Sequence, residues 1–203
     1  FLRCHAQWTL ADFQTTVTSL AEVFNKANRT SDIVKAYHLD KTKYRLDLYL
    51  HRFPLISDPN SQINGRYVQV CFAEVKTAES AERKVRGMDS RRAAETDGRP
   101  ATPRYLTDML RCTCTFEDPF VLALFYAALC EAFRVRAVKN KYVGPLVLHG
   151  IVDSPAILMN VDIKTPEGPH TAEVQLMLQG FLFLKGAQPD VRDQSCEDHL
   201  RPD

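Results

Sequence analysis

The sequence has no apolar run approaching the roughly 18 residues a helix needs to cross a bilayer. Its best stretch, Phe120 to Cys130, is shorter and ends in charge at Glu131, so no membrane-spanning helix and no membrane partner are expected. An excess of charge of one sign is also missing: 26 Lys and Arg face 25 Asp and Glu, a net charge of +1. No global field therefore selects nucleic acid or anionic lipid, and any anion site has to be local. The basic start, apolar middle and small-residue cleavage site of a signal peptide are absent, which is consistent with a chain that opens at Phe1 as a domain excerpt or as a processed form.

Metal-ligand spacing is wanting too. Cys112 and Cys114 would share one side of a strand, but no second CxxC or HxxxH set accompanies them at zinc spacing. Cys71, Cys112, Cys114 and Cys130 sit in apolar segments and read as free core thiols in a reducing, intracellular compartment. Cytoplasm and an organelle such as the mitochondrion both remain open. The six histidines are scattered and read as surface or packing residues.

What is present is ordinary for one globular domain over 1–203: 203 residues, 45% hydrophobic and 25% charged, which excludes pervasive disorder, a fibrous repeat and a disulfide mini-scaffold. Thr9 to Asp12 reads as a helix start, with Leu10, Phe13, Val17, Leu20 and Phe24 at helical spacing up to Asn28. The pattern from Ile33 to Phe53 is mixed. Arg66–Val75 alternates as a strand, and Thr77 can cap a helix from Ala78 to about Arg86. Residues 88–103 show no period and fit a mobile loop, Leu110–Phe116 is a second strand, and Asp118-Pro119 opens an apolar helix to about Phe133. Val135–Val138, Ile157–Ile163 and Glu173–Leu178 complete five strands, the last two joined by the turn Thr165 to Gly168. Leu178–Leu184 can form a closing helix, and the polar tail 189–203 should fray. Strands and helices without strict alternation indicate an α+β layer, with helices against a mixed or mainly antiparallel sheet.

Four segments carry candidate chemistry. Lys76 leaves a strand while Ser80 and Lys84 share a helix face, a plausible phosphate cradle at a helix N-terminus; a solvated, salt-bridged helix fits the same spacing. Asp108, with Arg111 beside it, precedes a strand, and Glu173 opens another, with Asn160 and Asp162 in the neighbouring strand. Two carboxylates on neighbouring strands suit a hard cation such as Mg²⁺ bound to nucleotide phosphates, although acids also serve as caps and surface partners. Arg136 to Tyr142 is a basic strand exit carrying an aromatic, able to hold phosphates and stack on a base.

In this order the segments resemble the synthetase domain of the RelA/SpoT family, over about residues 10–185. Glu74, Lys76, Ser80 and Lys84 occupy the places of an R-x-K-x-x-x-S-x-x-x-K pattern. Asp108 is similar to the strand-initiating Mg²⁺ aspartate, Lys139-Asn140-Lys141-Tyr142 to the basic K-[DN]-x-[YF] stretch, and Glu173-Val174-Gln175 to the E-[VI]-Q strand. Asp108 to Arg111, Val138 to Lys141, Leu158 to Val161 and the Gln175-Leu176-x-Leu178 ending resemble a divergent branch of this family in eukaryotic microbes.

The resemblance implies a nucleotidyltransferase-like fold, a mixed five-stranded sheet flanked by helices. It also implies transfer of pyrophosphate from ATP to the hydroxyl of a nucleotide or RNA, with Mg²⁺ held by Asp108 and Glu173. Glu173 would also accept the hydroxyl proton, and Lys76, Ser80, Lys84, Arg111, Lys139, Lys141, Tyr142 and Gln175 would bind nucleotide and phosphate. The chain departs from the family pattern at Glu74, where the family's first arginine stands, at Ile151, where a guanine-stacking tyrosine is common, at Thr113, and in the length of the 88–103 loop. These departures fit a degenerate module that binds nucleotide, or protein or RNA in a larger assembly.

Overall fold

The computed structural model describes residues 2–27, 30–44, 67–92, 106–143, 147–148, 151–152, 155–166 and 168–186. Helix α1 spans Leu2–Lys26 and so begins well before Thr9, where the sequence reading put its start. The Thr9 hydroxyl is not a cap: it donates back to the His5 carbonyl at 2.6 Å, a bond that fits inside a continuing helix. Phe13, Val17, Leu20 and Phe24 are buried on one face, as their spacing predicts. A short α2, Thr30–Ala36, falls partly in the region of mixed pattern.

Strand β1 is Gln69–Phe72 and α3 is Ala78–Arg92. Thr77 caps α3 as expected, its hydroxyl accepting the Ser80 N–H at 3.2 Å. The helix runs past Arg86, so 88–92 are helical rather than loop; the rest of the expected loop, 93–103, lies outside the described residues. Helix formers such as Met88, Arg91 and Arg92 carry it on. Strand β2, Arg111–Phe116, precedes α4, Pro119–Ala132, which starts at the Asp118 cap whose carboxylate accepts the Phe120 N–H at 2.7 Å.

Strands β3 (Arg134–Asn140), β6 (Ile157–Ile163) and β7 (His170–Leu178) and helix α5 (Gln179–Gly186) follow the expected order, with a separate hairpin of β4 (Val147–Leu148) and β5 (Ile151–Val152) between β3 and β6. That hairpin is additional to the sequence reading. The fold is α+β, and the five-stranded sheet has the order β1-β2-β7-β6-β3. It is mixed: β2 and β7 run parallel, while the other pairs are antiparallel. The β6–β7 turn closes through Gly168 at φ +116°, a conformation glycine adopts without strain.

One sheet face is the core. Cys112, Cys114, Phe116, Met159, Val161, Val174 and Leu176 are buried there against α1 and α4, and Phe125 of α4 meets Phe24 at 5.1 Å and Phe116 at 5.3 Å. Buried aromatic pairs of this kind add about 1 kcal/mol each beyond their area. The opposite face alternates to Arg111, Thr113, Leu158, Asn160, Thr171, Glu173 and Gln175, all half-buried. Cys4, Cys112, Cys114 and Cys130 are free thiols, but Cys71 is disulfide-bonded, against the expectation of a free core thiol. Its strand position, between Val70 and Phe72, turns it from the core. No described helix is long and apolar enough to cross a membrane.

Candidate functional site

The site begins where β1 and β2 part. Beyond Phe72 the chain still runs beside the segment before β2, the Lys76 N–H donating to the Met109 carbonyl at 3.1 Å. This brings the Lys76 side chain to Asp108, and its ammonium bonds to Oδ2. Two turns into α3, Lys84 reaches the same oxygen at 2.5 Å. The other oxygen, Oδ1, is buried without a partner. Burial pushes the Asp108 carboxyl up, but the bonds from Lys76 and Lys84 outweigh it and hold the group below its ordinary value. Two ammonium groups on one carboxylate leave a surplus positive charge at the start of α3, where backbone N–H groups already favour an anion. Ser80, the third member of the expected set, sits in the first turn of that helix.

Glu173 stands on the neighbouring strand. The parallel register sets it opposite Arg111, its N–H donates to the Leu110 carbonyl at 2.9 Å, and Gln175 donates to its Oε1 at 2.7 Å. Asp108 therefore lies three residues before the position facing Glu173, across a bend at Met109 and Leu110, both of which are buried.

Lys139 shares the face with Gln175, because it pairs with Leu158 of β6, which pairs with Gln175; two strand spacings put it roughly 10 Å away. Its side chain is exposed. Tyr142 is otherwise employed than as a free stacking platform. Its hydroxyl accepts the Leu178 N–H at 2.9 Å, and its ring meets Phe181 edge-on at 6.0 Å. Lys141 follows β3, its N–H donating to the Ala156 carbonyl at 2.9 Å.

Sequence reasoning passed over one more ionic unit. Arg136 bonds to buried Asp162 at 2.6 Å, Thr171 donates to the same oxygen at 3.1 Å, and Asp162 Oδ2 has no partner. Among the described residues, no three His, Cys, Asp or Glu side chains gather to hold a metal. Cys112 is a buried thiol whose pKa burial raises, with Cys114 adding to the effect.

The architecture is thus an α+β mixed sheet with an acid-and-lysine cluster at one strand end. No protein-family model matches the sequence, and no curated protein matches it either. Among solved structures, small alarmone synthetase 1 from Bacillus subtilis bound to its product pppGpp is similar at 16% identity and TM-score 0.44, over 89% of this chain and 77% of that one. A GTP pyrophosphokinase family protein from Streptococcus pneumoniae is similar at 16% identity and TM-score 0.39, over 96% and 86%.

Proposed function

We propose that the chain is a RelA/SpoT-like nucleotide pyrophosphotransferase, moving pyrophosphate from ATP to the hydroxyl of a nucleotide or an RNA end. The observation that carries this reading is the meeting of Lys76, Lys84 and Asp108 from three separate segments. Phosphoryl-type transfer asks a protein mainly for positioning and for charges that offset the phosphates. Lys76 and Lys84 bind phosphate oxygens when a triphosphate replaces Asp108 as their anion, and Lys139 adds a third cation on the sheet face. Arg111 and Gln175 flank Glu173, which accepts the proton of the attacking hydroxyl.

The donor set fits Mg²⁺. Asp108 Oδ1 is a buried carboxylate oxygen with no partner, and hard Mg²⁺ arriving on a nucleotide takes one or two carboxylates and leaves the rest of its shell to phosphate and water. Asp108 and Glu173 would hold it, and it would supply neutralisation of phosphate charge. The second reading, a nucleotide-binding module without transfer, is favoured by Glu74, an exposed acid two residues from Lys76 that repels a triphosphate.

The test is incubation of the purified chain with Mg²⁺, labelled ATP and a panel of nucleotides and RNAs, beside Asp108→Asn and Glu173→Gln. Labelling by the unaltered chain alone supports transfer. Equal labelling by all three proteins, or none by any, removes it, and thermal stabilisation by nucleotide without labelling leaves the binding module.

A further inference from the structure

Within the lysine cluster Asp108 already plays the part of a bound anion. The ammoniums of Lys76 and Lys84 meet on its Oδ2, and an ammonium bonds a carboxylate oxygen much as it bonds a phosphate oxygen. The acid side chain is 8% exposed, against 17% for Lys76 and 34% for Lys84, so the lysines, Lys84 above all, can reach an incoming ligand while Asp108 stays behind. The other acids of the first turns of α3 are placed differently: Glu79 is exposed, and Glu82 is exposed and paired with Arg86. Asp108 is the anion that both lysines hold in the free chain.

Three arrivals at this cluster differ in their consequences. A triphosphate without metal that draws the ammoniums away leaves Asp108 buried, charged and unpaired beside further negative charge, which is heavily penalised. A divalent cation alone is repelled by two ammoniums, and displacing them leaves them without an anion. A triphosphate that carries its cation lets every charge change partner together: the lysines turn to phosphate oxygens and Asp108 turns to the metal. We propose that Asp108, beyond holding a metal, is a selector, which by retaining Lys76 and Lys84 rejects metal-free polyphosphates and admits the metal-loaded form.

This inference rests on the reading of the cluster as a nucleotide site, and it holds whether that site transfers pyrophosphate or only binds. It adds a coupling between two ligands: metal raises the affinity for triphosphate, and triphosphate raises the affinity for metal, by the same factor. Its sign is unusual for a residue placed in the binding machinery, because removing Asp108 frees two cations and strengthens the binding of a bare polyphosphate.

The test is titration calorimetry of the full chain with ATP in EDTA and with Mg²⁺–ATP, no acceptor being present. Metal-free ATP should bind Asp108→Asn about tenfold more tightly than the unaltered chain. In a Lys84→Met background the same substitution should give a gain about threefold smaller, because one of the two releasable lysines is gone. Equal gains in the two backgrounds, which the field of a lone carboxylate produces, overturn the proposal, as does no gain at all; the nucleotide reading still stands in both cases if Mg²⁺–ATP binds the unaltered chain. Failure of either form of ATP to bind any of the proteins overturns both. Should Asp108→Asn not fold, the Lys84 ammonium nitrogen signal of the unaltered chain decides. It should stay in place in excess ATP with EDTA and move with Mg²⁺–ATP, and an equal shift in both overturns the proposal.

Discussion

Asp108 and Asp162 are both buried, each gives one oxygen to a cation, and each keeps the other oxygen unpartnered. The surroundings separate them. Asp108 lies at a strand end and is held by two ammonium groups on flexible stems, so its cluster carries surplus positive charge. Asp162 lies within a strand and is matched by one guanidinium and one hydroxyl, so its cluster is balanced. A planar guanidinium locks geometry, whereas an ammonium is a mobile point charge that can be handed to another anion. One buried acid is thus poised for exchange, and the other is a fastening.

The largest expected effect is that of Asp108→Asn, which should lower nucleotide labelling on the order of 100-fold. It should also cost about 2 kcal/mol of stability, below the usual figure for a broken buried pair because Lys84 reaches solvent; labelling assays and urea melts check the two parts. Next come Lys76→Met and Lys84→Met, each expected to weaken Mg²⁺–nucleotide affinity about tenfold in titration calorimetry. Asp162→Asn should instead lower the melting temperature by roughly 2–4 °C while labelling is retained; a collapse of labelling there would erase the distinction between the two acids.

The smallest expected effect is one of pH. The Asp108 value is depressed below 3.8, so its contribution is complete above 3.8 and lost only as pH falls through the folded value. The stability difference between the unaltered chain and Asp108→Asn should stay constant from pH 7 to 5 and shrink below 3.8. A difference that stays flat below pH 3.8 as well would place the carboxyl in an ordinary environment and weaken the contrast with Asp162.

Much of this was legible in the sequence because it is local. The Thr77 cap and the Asp118-Pro119 start each follow from neighbouring residues. The meeting of Lys76 and Lys84 was foreseeable from helical spacing; their joint hold on Asp108 was not, because it depends on how the segment before β2 returns beside α3. What escaped depends on distant register. The Arg136–Asp162 pair joins two strands beside the irregularity between Val135 and Ala137 that shifts β3 against β6. The hydrogen bond between His5 of α1 and His170 of β7 requires α1 to begin before Thr9, and Thr9 imitates a cap while bonding backward. Tyr142 looked like a stacking platform because no local pattern announces that Leu178 claims its hydroxyl.

The place of β7 in the sheet has a consequence for how the chain is built. Among the described residues it is the last strand in chain order, yet it lies between β2 and β6, so a nascent chain stopped before His170 holds two separate ribbons, β1-β2 and β3-β6, with no keystone between them. Pairings between distant segments form late and slowly. Glu173 arrives with that keystone, so on the ribosome its alignment with Asp108 is achieved only as the sheet is sealed.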